Sequence, residues 1–290
     1  MLLKDFIPAP DVSGFVELYR IVHLQFAAGE TLHAKAYPPR PEHCIAFYPY
    51  DRETVRYQHS DHTISNIPVV LYGQSTQVNH RSIGQNFLVL QVIFRPGAIF
   101  RLTGIPATEL TDQYIDATSV FGKSLNDINQ QLYEAADYSA MITIANSFAR
   151  SLIKRSRLTS IPLDHTFGMM FNTHEKIKID ELAALSCLGN RQFSRKFKER
   201  TGVSPKTYER IIRFDKTFRF KNSNPTMDWL RIAVEFDYHD YQHLSKDYQD
   251  FTGSTPNVFH QVEDQAPERR LGLLEGYSPT NRGGDVGCSL

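Results

Sequence analysis

Between Asn190 and Pro205 the chain sets Arg191, Ser194, Arg195 and Lys198 three and four residues apart, with Phe193 and Phe197 on the opposite side. That spacing predicts an amphipathic helix with a cationic outer face. Guanidinium, hydroxyl and ammonium groups on one helix face suit nucleic acid. Arg reaches guanine O6 and N7, Ser, Gln and Asn read other base edges, and flanking Lys and Arg hold phosphates. From Asn190 to Lys221 there are eleven Lys or Arg against three acids, a net +8 within a chain of net charge zero. The charge balance is therefore local.

Other residues could do different chemistry. His59, Asp61, His62 and His80 could meet around a metal after folding, but the spacing is unspecific, and the His-x-His pair that metal-binding cupins carry is missing. No metal site and no cofactor is expected. Cys44, Cys187 and Cys288 are odd in number and far apart, with no Cys-x-x-Cys spacing, which fits a reducing cytosol. Cys187 reads as a small buried residue packing a turn. There is no Gly-rich phosphate loop, paired-carboxylate motif or nucleophile elbow, so no catalytic residue is named. The N-terminus has no long apolar run, and no segment approaches bilayer-spanning length. The expected location is the cytoplasm, at the nucleoid through DNA.

The elements that position the basic face follow from their neighbours. Ile179, Leu182, Ala183 and Leu185 have helical spacing, and Ser186 to Gly189 is a compact turn. Gly202 suits a left-handed helix stop, and Pro205 bars continuation. The pattern then recurs. Leu244, Tyr248, Gly253 and Pro256 repeat Phe193, Phe197, Gly202 and Pro205 at a shift of 51, while the second turn carries one extra residue. Two helix-turn-helix units, at about 176–202 and 228–253, stand in tandem. Lys206 to Phe220, with Tyr208, Ile211, Ile212 and Phe218 on one face, is the expected connecting helix.

Leu182-Ala183, Arg195-x-Phe197-Lys198, Gly202-Val203-Ser204-Pro205, Tyr208, Ile232-Ala233-x-x-Phe236, His243-Leu244, Gly253 and Pro256 resemble the AraC/XylS family of bacterial transcription regulators over about a third of the chain. By position, the resemblance implies base contacts from Arg191, Ser194 and Arg195 in the first unit and Gln242, Ser245 and Lys246 in the second. Phosphate contacts fall to Asn190, Lys198, Lys206 and Arg213. It further implies double-stranded promoter DNA and RNA polymerase as partners, a small-molecule effector, activation and a possible homodimer. Asn190 follows Gly189 where the family often has a Ser cap, and Asp237 stands at a turn position that usually holds Gly.

The expected architecture is a two-domain α+β chain. Residues 1–157 form a β-rich, cupin-like barrel or sandwich for sensing or dimerisation, 158–262 the DNA-binding domain, and 263–290 a disordered tail. Strands are expected at Phe15 to Leu24, Cys44 to Tyr50, Thr54 to Gln58, Val69 to Gln74 and Phe87 to Phe94. A short helix between Pro96 and Gly104 follows, in a Phe-Arg-Pro-Gly segment that resembles the sensory half of one subgroup. Helices near Leu125 to Ala136 and Met141 to Arg155 precede a polar linker, 154–160. The competing reading is a metal- or cofactor-dependent enzyme half fused to a DNA-binding half. Finally, Asp228 to Asp250 holds six acids against two bases. With Asp250 assigned to Lys246 and Asp247 unassigned, a first unit that anchors and a second that binds weakly are expected.

Overall fold

The computed structural model describes residues 1–57, 63–156, 158–172 and 177–273. Ten strands come first: β1 (Leu2–Phe6), β2 (Val16–Gln25), β3 (Lys35–Tyr37), β4 (His43–Phe47), β5 (Thr54–Tyr57), β6 (Thr63–Ile64), β7 (Val69–Tyr72), β8 (Asn79–Ser82), β9 (Asn86–Phe94) and β10 (Tyr114–Asp116). They make two antiparallel sheets, one in the order β1-β2-β9-β4-β7-β10, the other β3-β8-β5-β6. Strand β9 explains the layering. Its Leu88, Leu90, Val92 and Phe94 point into one core and its Phe87, Val89 and Ile93 into another. A strand buried on both faces reads as a near-continuous apolar run, as Phe87 to Ile93 does but for Gln91.

On the first face lie α1 (Ala98–Thr103), α2 (Thr118–Phe121), α3 (Ser124–Glu134) and α4 (Tyr138–Lys154), which contribute Leu102, Leu132, Met141, Phe148 and Leu152 to the core. On the second face lies the small sheet, with Val55 and Tyr57. Gly104, at φ 76, closes α1 as its sequence predicts.

The helical half comprises α5 (Pro162–Asn172), α6 (Ile179–Leu185), α7 (Asn190–Thr201), α8 (Pro205–Ser223), α9 (Trp229–Glu235), α10 (Tyr241–Thr252), α11 (Pro256–Glu263) and α12 (Pro267–Arg270). Helix α8 serves two cores. Its Tyr208 and Ile212 pack with Phe193 and Phe197 of the first unit, while Ile211, Phe214 and Phe218 pack with Trp229, Leu244 and Tyr248 of the second. Among the described residues no helix is long and apolar enough to cross a membrane.

All five expected strands are present; β1, β3, β6, β8 and β10 are additional. The disordered tail expected from Glu263 is contradicted over 263–273. Glu263 ends α11, α12 follows, and Leu271 and Leu273 pack against the core between the sheets. The remainder of that expected tail, 274–290, lies outside the described residues. Cys187 corrects another expectation: it is exposed, at φ 55, because the turn needs a left-handed backbone there and directs the side chain outward.

Candidate nucleic-acid interface

The two units repeat at the level of single hydrogen bonds. Leu188 N–H donates to Ala183 O at 3.0 Å, and Tyr238 N–H to Ala233 O at 2.9 Å. Each donor follows a left-handed residue, Cys187 at φ 55 and Asp237 at φ 57. Asp tolerates that conformation better than most residues with a Cβ. The extra residue of the second turn therefore lies after Tyr238, where His239-Asp240 stand against the single Gly189. At the far ends, Gly202 at φ 88 and Gly253 at φ 70 stop the helices. Thr201 and Thr252 hydroxyls donate to the Phe197 and Tyr248 carbonyls at 2.9 and 2.7 Å.

Their starts differ. Helix α7 has Gly189 at its N-cap and no side-chain cap, although Asn190 Nδ2 donates to Asp180 Oδ1 at 2.7 Å. Helix α10 is capped by Asp240, which accepts from the His243 N–H at 2.7 Å. That amide, with His239 nearby, holds the Asp240 carboxyl below its ordinary value. Asp228 caps α9 in the same manner, through the Leu230 and Arg231 amides.

Behind each outer face the apolar anchors are closed off: Phe193, Phe197, Leu244 and Tyr248 have no exposed surface. Arg191, Arg195 and Lys198 on α7 and Gln242 and Lys246 on α10 are exposed, with Ser194 and Ser245 half-buried beside them. The two faces thus present matching positions 51 residues apart. Lys206, in the first turn of α8, is exposed too.

Several cations counted toward the positive stretch are occupied elsewhere. Arg200 is buried and donates to Asp164 at 2.9 Å. Arg219 grips Asp215 at 3.0 Å and reaches Glu42 at 3.4 Å. Lys216 and Lys221 donate to the Phe171 and Met227 carbonyls. Arg213, expected at phosphate, donates to Asp247 at 3.2 Å, lies 4.2 Å from the Tyr238 ring centroid, and keeps only 15% of its side chain exposed. Its charge is turned inward.

The acidic second unit needs the same correction. Asp247 is 1% exposed and accepts from Arg210 at 2.7 and 3.0 Å as well as from Arg213. Asp250 pairs with Arg210 and not with Lys246. Helix α8 therefore lends two guanidiniums to α10. The formal contrast between +8 and −4 shrinks accordingly, because the carboxylate that charge counting left unassigned fastens two helices together.

The metal alternative rests on His59, Asp61, His62 and His80. His59, Asp61 and His62 lie outside the described residues, as does Cys288; His80 is half-buried on β8, its imidazole pushed below the ordinary value by burial. Among the described residues no three His, Cys, Asp or Glu side chains gather as a metal set.

Sequence reasoning missed the seam between the halves. Tyr208 OH donates to Pro41 O at 3.4 Å, the Val78 N–H donates to Phe251 O at 2.9 Å, and Ala36 and Val78 of the barrel join the second unit's core. His43 is wholly buried there against the Thr201 backbone, and burial pushes its imidazole down to about 4. No spacing rule points to contacts between segments more than 150 residues apart.

Residues 182–261 match a family described as a helix-turn-helix domain, and residues 4–116 one described as a domain of unknown function (DUF6597). No curated protein matches the chain. Among solved structures, ToxT from Vibrio cholerae O395 is similar at 9% identity and a TM-score of 0.45, over 86% of this chain and 98% of that one. A second ToxT structure, in the P21 crystal form, gives 10% identity and a TM-score of 0.47 over 84% and 98%. A third, bound to (E)-4-(8-methylnaphthalen-1-yl)but-3-enoic acid, gives 10% and 0.45 over 84% and 99%. The paired helix-turn-helix units and the family match over the same residues agree: 182–261 is an AraC-type helix-turn-helix domain, and the chain is a DNA-binding transcription regulator.

Proposed function

We propose that the protein is an effector-responsive activator whose α7 and α10 enter two successive major-groove segments on one face of promoter DNA, about 34 Å apart. The observation that carries this is the pair of matching polar faces at either side of one continuous helix, α8, which fixes their mutual orientation. Base readout falls to Arg191, Ser194 and Arg195, and to Gln242, Ser245 and Lys246. Lys198, Lys206 and Asn190 serve phosphates. Arg213 is withdrawn from that set, since its guanidinium belongs to Asp247.

In this reading 1–157 senses a small molecule and can pair subunits, 158–262 reads DNA, and RNA polymerase is the partner in the cytoplasm. The seam favours sensing for the first domain. Both helix-turn-helix units touch the barrel, so a change in the barrel reaches both readers.

Selection of bound fragments from the source genome, followed by footprinting, tests the proposal. Protection of two adjacent major-groove segments is expected. Protection of one segment would show that α10 does not read DNA.

A further inference from the structure

The connection from β7 to β8, residues 73–78, meets both reading helices at the same end. Near its start, the Gln74 Cβ would stand 3.4 Å from a Cβ placed on Gly202, the stop of α7. At its finish, the Val78 N–H donates to the Phe251 carbonyl at 2.9 Å, in the last turn of α10, and the Val78 side chain is buried in the second unit's core. Four residue steps separate the two contacts, at most about 14 Å of chain. One short piece of the barrel thus touches α7 and α10 beside their corresponding glycine stops, Gly202 and Gly253.

The piece is braced along its length. Gly73 lies so close to Leu110 that an added Cβ would stand 2.2 Å from the Leu110 carbonyl oxygen. Gln74 is fully buried; its Nε2 donates to the Arg40 and Ser75 carbonyls, each at 2.8 Å, and its own carbonyl accepts from the Asp112 N–H at 3.0 Å. The Asp112 carboxylate accepts from the Thr76 N–H at 2.7 Å and from the Thr76 hydroxyl at 2.5 Å, and the Ser75 hydroxyl donates to Gln77 O at 2.7 Å. Thr111, between the anchors Leu110 and Asp112, is the residue whose hydroxyl donates to Gly202 O. Residues 110–112 therefore carry the end of α7 on one side and the β7–β8 connection on the other. Asp112 takes φ 55 to do so, a conformation uncommon for a residue with a Cβ. Mobile loops lack such ties; a connection bonded at nearly every residue is a strut.

We propose that residues 73–78, held by Asp112, set the distance between α7 and α10 and hence the spacing of the two groove segments that the protein accepts. The proposal rests on the reading of α7 and α10 as two DNA readers and adds what fixes the interval between them. Helix α8 joins the units along one side, but a helix of 19 residues can bend. A second brace, across the far ends of the readers, turns a hinge into a closed frame. One base pair added or removed between the segments moves the second by about 3.4 Å and about a tenth of a turn. A framed pair of readers cannot follow that change and forfeits the base contacts of one of them, whereas a hinged pair can follow. Asp112 and Thr76 are positioning residues, which act on DNA only through the readers.

The test uses the full-length chain on a selected genomic fragment and on two derivatives with one base pair added or removed between the protected segments, with affinity read by anisotropy. The parent should lose about tenfold or more on either derivative, the worth of at least one base-reading contact. Asp112→Gly keeps the left-handed backbone but drops both ties to Thr76. It should bring that loss down to about threefold or less, while its affinity for a duplex carrying the first segment alone stays that of the parent. Asp112→Asn, whose side-chain amide can still meet the Thr76 amide and hydroxyl, should restore the parent's discrimination. A glycine inserted between Gln77 and Val78 lengthens the strut without touching residue 112 and should narrow the loss as well; it carries the test if Asp112→Gly does not fold. Two-segment protection with a parent that binds all three duplexes alike, or with undiminished discrimination in the altered chains, would overturn the strut and leave the two readers standing. Protection of one segment by the parent would remove the two-reader reading and the strut with it.

Discussion

The Thr111 hydroxyl donates to the Gly202 carbonyl at 3.1 Å, and a Cβ built on Gly202 would stand 2.4 Å from that same hydroxyl oxygen. The end of the first reading helix is thus pressed against the sensory domain at a position where only a hydrogen fits. Gly202→Ala should therefore cost more than Gly253→Ala. Both glycines have positive φ, at 88° and 70°, so backbone strain of roughly 1 kcal/mol is common to the two. The excess, about 1–3 kcal/mol for overpacking, reports the seam. Equal losses in denaturant melts would mean that Thr111 yields freely.

Asp247 should behave as a structural clamp. Asp247→Ala leaves Arg210 and Arg213 facing a buried gap, and the loss should be about 2–3 kcal/mol, toward the low end for a broken buried pair because Arg210 is 31% exposed. Asp247→Lys should fail to fold rather than tighten DNA binding. A stable lysine variant with higher DNA affinity would restore the expectation drawn from charge counting.

That expectation shows where sequence ends. The repeat at 51, both glycine stops and the Asp228 and Asp240 caps are legible because they depend on neighbours within a turn. The partners of Asp247 lie 34 and 37 residues away on another helix, and a charge count has no direction. The small sheet was hard to read for a related reason. Strand β8 is Asn-His-Arg-Ser, a sequence without apolar alternation, and is buried in part because Arg81 finds Glu53 and the Tyr37 ring in three dimensions.

Base and phosphate contacts should separate by their salt response. Arg191→Ala or Arg195→Ala should cost about 1–3 kcal/mol at the selected site and relax preference at one base pair. Lys198→Ala and Lys206→Ala should weaken all duplexes alike and lower the log-log salt slope by about 0.9 each. Anisotropy titrations across a salt series distinguish the two groups. A uniform loss for Arg191→Ala would move it to the phosphate set.

Acid should loosen the seam. His43 has its folded value pushed down to about 4 by burial, below the roughly 6.5 of an unfolded chain. Between those values the unfolded state holds the extra proton, so stability is full above about 6.5 and falls by up to about 1.4 kcal/mol per pH unit as pH drops toward 4. Melting temperatures at pH 7.5 and 5.0 measure the fall. His43→Gln should flatten it, and an unchanged slope would assign the effect to other groups.

Helix α8 sends Tyr208 and Ile212 into one core and Ile211, Phe214 and Phe218 into the other. The duplication visible in the sequence is therefore not a duplication of folding units. Cut between the repeats, either fragment loses a wall of its own interior, so neither half can be lent to another protein as a cassette. The two readers should therefore melt in a single transition, with no state in which one of them alone is unfolded. Control of this protein has to act on where a reader sits, since it cannot act on whether one exists.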